Sequence, residues 1–224
     1  MTILFSYISD KQVAVASDGN IIENSANKIV CNNYDKTFHL YNRMIVGAFS
    51  NNMSIDHSIY GRSVSIGIIM SEISKNIPAP TCFDNFVDNL SEAYKTVLNS
   101  IETSGPSIDN RSSNIILAAS KHFNGKDFEI YCLRFTFNDA DKKIILSKKE
   151  SPLIGNGNWY VVAPDEEFSC ISKAIQQDFD ALPCGLTIEQ IVKRGIEIGV
   201  RTSNLQKVNG KLLGGKISIK STYL

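Results

Sequence analysis

The feature that most constrains this sequence is a repeated change of hydrophobic period. It opens with "TILFSYIS" and "QVAVASD", two runs rich in β-branched and aromatic residues on either side of "DK". Such runs around a short polar connection predict a β-hairpin. The polar stretch "GNIIENSANKIVCNNYD" leads to a second pair, "KTFHLY" and "MIVGAFS", joined by "NR". The period then lengthens. Ile59, Ile66, Ile69 and Ile73 predict a helix over 53–76, and "NIPAPT" ends it. Phe83, Phe86, Val87, Leu90, Ala93, Tyr94, Val97 and Leu98 recur at three and four, the stripe of an amphipathic helix, with Thr81 and Asp84 as a loose capping box at its start.

The alternation then repeats. "SGPSIDNRSS" reads as a loop, and "NIILAAS", "FEIYCLRFTF" and "KIILSK" as strands separated by "NGK" and "NDADK". "GNGNWYVVA" predicts a glycine-rich bend and a strand, followed by a helix near 165–179. Thr187 and Gln190 form a capping-box pattern before a helix carrying Ile188, Ile191, Val192 and Ile196. "GGKISIKSTYL" closes as a strand. The order ββββ-αα-βββ(β)-αα-β gives every helix one apolar face. Two mainly antiparallel sheets face to face, with a helix pair on each outside, would bury them all. The expected class is therefore α+β, a four-layer αββα sandwich, with residues 1–224 as one domain.

Composition narrows the function. Lys+Arg and Asp+Glu both number 23, which argues against a broad nucleic-acid footprint. The five cysteines form no C-x-x-C pair and read as buried free thiols. The three histidines have no metal-ligand spacing, so neither a metal nor another cofactor is expected. No apolar run is long enough to span a bilayer, and the start lacks signal-peptide features. A soluble, cytoplasmic protein with no membrane partner is the expectation.

One constellation carries chemistry. Asp18 follows Thr2 by 16 positions and Lys36 follows it by 34. A threonine hydroxyl needs a base before it can act as a nucleophile, and a free α-amine on the same residue, with a pKa of about 7.7–8.0, can supply one. A nearby ammonium favours deprotonation of both groups, and a carboxylate holds the ammonium in place. Thr, Lys and Asp can thus carry out acyl transfer without histidine. Met1 must first be removed, which a small second residue generally permits.

At these residues the sequence resembles the proteasome β-type subunits and their bacterial homologues. "MTILFSYISDKQVAVASDG" is similar to the family's start: an N-terminal Thr, a hairpin, and an Asp sixteen residues on. "KTFHLYNRMIVGAFSNN" resembles the segment that begins with the family's lysine and ends at a small-residue corner. "SSNIILAAS", "FEIYCLRF" and "PLIGNGNWYVVA" resemble later strands, and "LTIEQIVKRGIEIGV" with "GGKISI" resembles the last helix and strand. The resemblance implies an N-terminal-nucleophile hydrolase fold and threonine-type peptidase activity on peptides or unfolded proteins. It also implies assembly into homo-oligomeric rings and a possible ATPase or regulatory partner. By position it implies Thr2 as nucleophile, Asp18 and Lys36 as its supports, and a backbone N–H near Asn51 in the oxyanion hole. Asn156 stands where the family commonly has the serine of Gly-Ser-Gly.

There are departures. The gap from Asp18 to Lys36 exceeds the usual spacing, and Lys28 competes for the lysine role. The corner is Ser50-Asn51 rather than glycine-rich, and the family's late Asp has no clear match in "RTSNLQKVNG". Plainer roles stand beside the catalytic ones: Asp18-Gly19 as a strand-ending turn, Lys36 as a solvated strand-start charge, and Gly155-Asn156-Gly157 as a tight turn. A non-catalytic scaffold or binding subunit, or an amidohydrolase acting on a small amide, is the alternative function.

Overall fold

The structure is a computed structural model that describes residues 2–9, 11–23, 28–50, 55–57, 62–64, 66–78, 82–103, 112–119, 129–151, 158–206 and 213–222. The opening runs form the expected hairpin. Strands β1 (Leu4–Ile8) and β2 (Val13–Ser17) pair antiparallel, with Leu4 opposite Ser17 and Ile8 opposite Val13. Ser9 closes the turn, its hydroxyl accepting from the N–H groups of Lys11 and Gln12. The polar stretch that follows holds a second, short hairpin that its composition hides, β3 (Ile21–Glu23) and β4 (Lys28–Cys31). The next expected pair is β5 (Thr37–Leu40) and β6 (Ile45–Ser50).

The helix expected over 53–76 is shorter. The structure has β7 (Ile55–His57) paired with β8 (Arg62–Val64), and α1 begins at Ile66 and ends at Lys75. Gly61 and the Ser- and Ile-rich run around it are poor helix formers, and their local preference outweighs the isoleucine spacing. The clearer stripe gives α2 (Phe83–Thr103). Then come β9 (Ser112–Ala119), β10 (Glu129–Asn138), β11 (Lys143–Glu150) and β12 (Trp159–Val162). Helices α3 (Phe168–Phe179) and α4 (Ile188–Gln206) precede the closing strand β13 (Ser218–Ser221).

Besides the two-stranded β3-β4 and β7-β8 pairs, two larger antiparallel sheets result, ordered β12-β1-β2-β13 and β11-β10-β9-β6-β5. The two-residue period of the strands sorts their side chains between layers. From the first hairpin, Leu4, Ile8, Val13 and Val15 meet Val46, Ala48, Ile116 and Ala118 of the other sheet. Ile3, Phe5, Ala14 and Ala16 face the opposite way, onto Ile171 and Ile175 of α3 and Val192 and Ile196 of α4. Phe86, Leu90 and Tyr94 of α2, with Met70 of α1, cover Phe49, Ile115, Leu117 and Leu133 on the outer face of the second sheet. This is the four-layer αββα sandwich expected from the element order.

Two details of the helices follow from their sequence. Thr187 and Gln190 close a reciprocal capping box at α4: the Gln190 N–H donates to Thr187 Oγ1 at 3.3 Å and the Thr187 N–H donates to Gln190 Oε1 at 2.8 Å. Gly195 allows α4 to lie directly on the Phe5 ring, where a β-carbon would stand 2.7 Å from the ring atoms. Thr81, expected as a cap for α2, lies outside the described residues, and Asp84 instead accepts from Tyr131 Oη and Lys149 Nζ. All five cysteines are free, but only Cys132 is buried; Cys184 is exposed and the others are intermediate. Among the described residues no helix is long and apolar enough to cross a membrane.

Candidate active site

The first hairpin, the segment just after it and the start of β5 converge at one end of the sandwich. Thr2 precedes β1, Asp18 directly follows β2, and Lys36 leads into β5. All three are shielded from solvent, at 6%, 0% and 3% exposure. Lys36 Nζ donates to Thr2 Oγ1 at 2.9 Å and to the Asn20 carbonyl at 2.8 Å, and it lies 3.6 Å from Asp18 Oδ1. The ammonium thus has three oxygen partners for its three protons, the condition for burying a charge at tolerable cost.

Asp18 is held through both carboxylate oxygens. The Ile3 N–H donates to Oδ1 at 2.9 Å, and the Gly214 N–H lies 3.5 Å from Oδ2. The Asp18 N–H returns a bond to the Ile3 carbonyl at 3.2 Å. This two-way clasp fixes the chain immediately after Thr2, so the hydroxyl is presented by backbone on one side and by Lys36 on the other.

Burial is the largest influence on both charged groups. It pushes the Asp18 carboxyl above its ordinary 3.8, against the pull of Lys36 and of the Ile3 and Gly214 N–H groups. It pushes the Lys36 ammonium below its ordinary 10.5, against the pull of Asp18.

Three sequence candidates therefore meet. Lys28, the competing lysine, pairs in register with Glu23 in the β3–β4 hairpin, whereas Lys36 is the lysine bonded to Thr2. Lys36 is buried rather than a solvated strand-start charge. Asn51 and Asn156 lie outside the described residues. Neighbouring Ser50, the last residue of β6, accepts a hydrogen bond from Asn114 Nδ2 at 3.1 Å. Sequence reasoning missed the Asn20 carbonyl and the Gly214 N–H, because backbone groups leave no mark on side-chain patterns. The doublet Gly214-Gly215 was the available signal.

No protein-family model matches the chain, and no curated protein does. Solved structures do. HslV from Trypanosoma brucei matches over 100% of both chains at 12% identity and a TM-score of 0.50. BPH from Thiobacillus denitrificans, in complex with epoxomicin, matches over 99% of this chain and 98% of its own, at 11% identity and a TM-score of 0.55. Anbu, an ancestral β-subunit, from Yersinia bercovieri matches over 99% of this chain and 81% of its own, at 11% identity and a TM-score of 0.54. The fold is that of the N-terminal-nucleophile hydrolases. At such identities the likeness concerns architecture, and the chemistry has to be argued from this chain's own residues.

Proposed function

We propose that the protein is a threonine-type peptidase that acts once Met1 has been removed. One observation carries the reading: a buried lysine donates to the hydroxyl of the second residue while a buried aspartate holds that lysine in place. Stability alone gives little reason for such a pair, since a buried ion pair is often no better than apolar residues of the same size.

With Met1 gone, the Thr2 amine takes the proton of Thr2 Oγ1 as that oxygen attacks the substrate carbonyl carbon. The carbonyl π-electrons move to oxygen, which is stabilised by a backbone N–H near Asn51. Collapse expels the leaving amine, which receives the proton held by the Thr2 amine. An ester on Thr2 remains, and water attacks it with the same amine as base, restoring the hydroxyl. Lys36 steadies the developing alkoxide, Asp18 orients Lys36, and Asn156 belongs to the supporting polar shell. One missing oxyanion donor costs about 2.7–4 kcal/mol of transition-state stabilisation.

Peptides or unfolded polypeptides are the proposed substrates, a homo-oligomeric ring the proposed assembly, and an ATPase or similar regulator a possible partner in it. The fold shared with HslV, BPH and Anbu supports this setting. The test is turnover of a fluorogenic peptide by the unmodified chain and by Thr2→Ala. Loss in the variant, with circular dichroism unchanged, supports the assignment; equal turnover removes Thr2 from the mechanism. A folded protein that turns over neither peptides nor small amides leaves the scaffold reading in its place.

A further inference from the structure

The ammonium of Lys36 rests on two anchors, the Asp18 carboxylate and the Asn20 carbonyl, and the residues that carry both are tied to one remote residue, Gly214. The Gly214 N–H faces Asp18 Oδ2 at 3.5 Å. The Gly214 carbonyl accepts from the N–H groups of both Gly19 and Asn20, each at 2.9 Å. Residue 214 therefore grips the segment Asp18-Gly19-Asn20 from both faces of its own backbone. The segment is held on its other side as well, since the Tyr34 N–H donates to the Gly19 carbonyl at 3.1 Å. The Lys216 N–H donates to the Asn32 carbonyl at 2.7 Å, so the turn itself is moored.

Both positions of this turn favour glycine, and Gly215 requires it. Gly214 has φ +140° and Gly215 φ +80°, both in the region that L side chains avoid. A β-carbon on Gly215 would stand 2.4 Å from Asn20 Oδ1 and 2.4 Å from the Asn32 carbonyl oxygen. One on Gly214 would meet nothing nearer than Asn20 Nδ2 at 3.6 Å. Gly19 needs the same closeness, because a β-carbon there would stand 2.3 Å from the Lys216 carbonyl oxygen.

We propose that the Gly214–Gly215 turn is a positioning element of the active site, which sets where Asp18 and Asn20 hold the Lys36 ammonium. The inference rests on the peptidase reading for its consequence in catalysis, where misplacement by about 1 Å can cost about 100-fold in rate. Its physical content, control of the environment of Lys36, is independent of that reading.

The two are separated by measuring them separately. Lysine labelled with ¹⁵N at Nζ reports the titration of Lys36 by NMR in the unmodified chain, in Gly214→Ala and in Gly215→Ala, with Asp18→Asn as the reference for full loss of the carboxylate. Asp18 holds the Lys36 pKa up. Loosening Asp18 should therefore lower the titration midpoint in both glycine variants, toward that of Asp18→Asn. Gly214→Ala strains the backbone at φ +140° but brings its methyl group no nearer than 3.6 Å to any neighbour, so it carries the test if Gly215→Ala does not fold. A folded Gly214→Ala in which Lys36 titrates as in the unmodified chain overturns the inference. In parallel, kcat for a fluorogenic peptide should fall about 100-fold with KM little changed. Absence of any turnover in the unmodified chain sinks the peptidase reading alone.

Discussion

Lys36 Nζ lies 2.9 Å from Thr2 Oγ1, although 34 positions separate the two residues. The contact spans the two sheets, because Thr2 leads into β1 of one and Lys36 into β5 of the other. The stacked hairpins therefore do for the site what a loop alone could not: they fix a hydroxyl against an ammonium across the sandwich.

Replacing Lys36 by Met should abolish peptide turnover and destabilise the fold. Asp18 would then be a buried carboxylate without its cation, a situation that costs about 3–5 kcal/mol. Urea denaturation of Lys36→Met at neutral pH measures the loss.

Replacing both partners should behave differently. Folding raises the Asp18 pKa, so its contribution to stability falls as pH climbs from 3.8 through the folded value. Folding lowers the Lys36 pKa, so its contribution recovers as pH climbs from the folded value to 10.5. The pair thus weighs most on stability between the two folded values, where both groups are charged. The double variant Asp18→Asn/Lys36→Met is expected to be inactive yet as stable as the parent near neutrality, or more stable by up to about 4 kcal/mol. That advantage should shrink toward the acid and alkaline ends of a urea series run across pH. A double variant as unstable as Lys36→Met would refute the argument.

Gly195→Ala tests how closely α4 lies on β1. In an open helix this change would gain about 1 kcal/mol. Here the new methyl group meets the Phe5 ring at 2.7 Å, so a net loss of about 1–3 kcal/mol is expected from thermal denaturation.

Thr187→Ala removes one half of the α4 capping box and should cost about 1 kcal/mol in the same assay, with turnover unaffected. A neutral result would show that the start of α4 is held by packing alone.

Much of the architecture was legible because alternation and helical spacing are side-chain signals. The "TILFSYIS"/"QVAVASD" hairpin, the Phe83–Leu98 stripe and the Thr187–Gln190 cap all appear where their residues predict them. The β3–β4 hairpin did not, since its apolar runs Ile21-Ile22 and Ile29-Val30-Cys31 are too short to show alternation and are set among five asparagines. The helix over 53–76 was overdrawn for a different reason: isoleucines at helical intervals hid the short strands β7 and β8 that precede α1. At the site, Thr2, Asp18 and Lys36 could be named because chemistry dictates those side chains. The Asn20 carbonyl and the Gly214 N–H could not, because any residue carries such groups and only the fold decides which ones meet. Nor could the sequence exclude Lys28; that choice depends on the loop geometry between β2 and β5.

The central claim is that Thr2, freed of Met1, is the nucleophile, and intact-mass and peptide-mapping spectrometry after incubation with a peptide epoxyketone tests it most directly. The account predicts a chain lacking Met1 that gains one inhibitor mass, with the adduct mapped to Thr2. It also predicts that Lys36→Met, if folded, reacts far more slowly. A folded chain that retains Met1 and takes up no adduct, or one labelled at a cysteine instead, would contradict it.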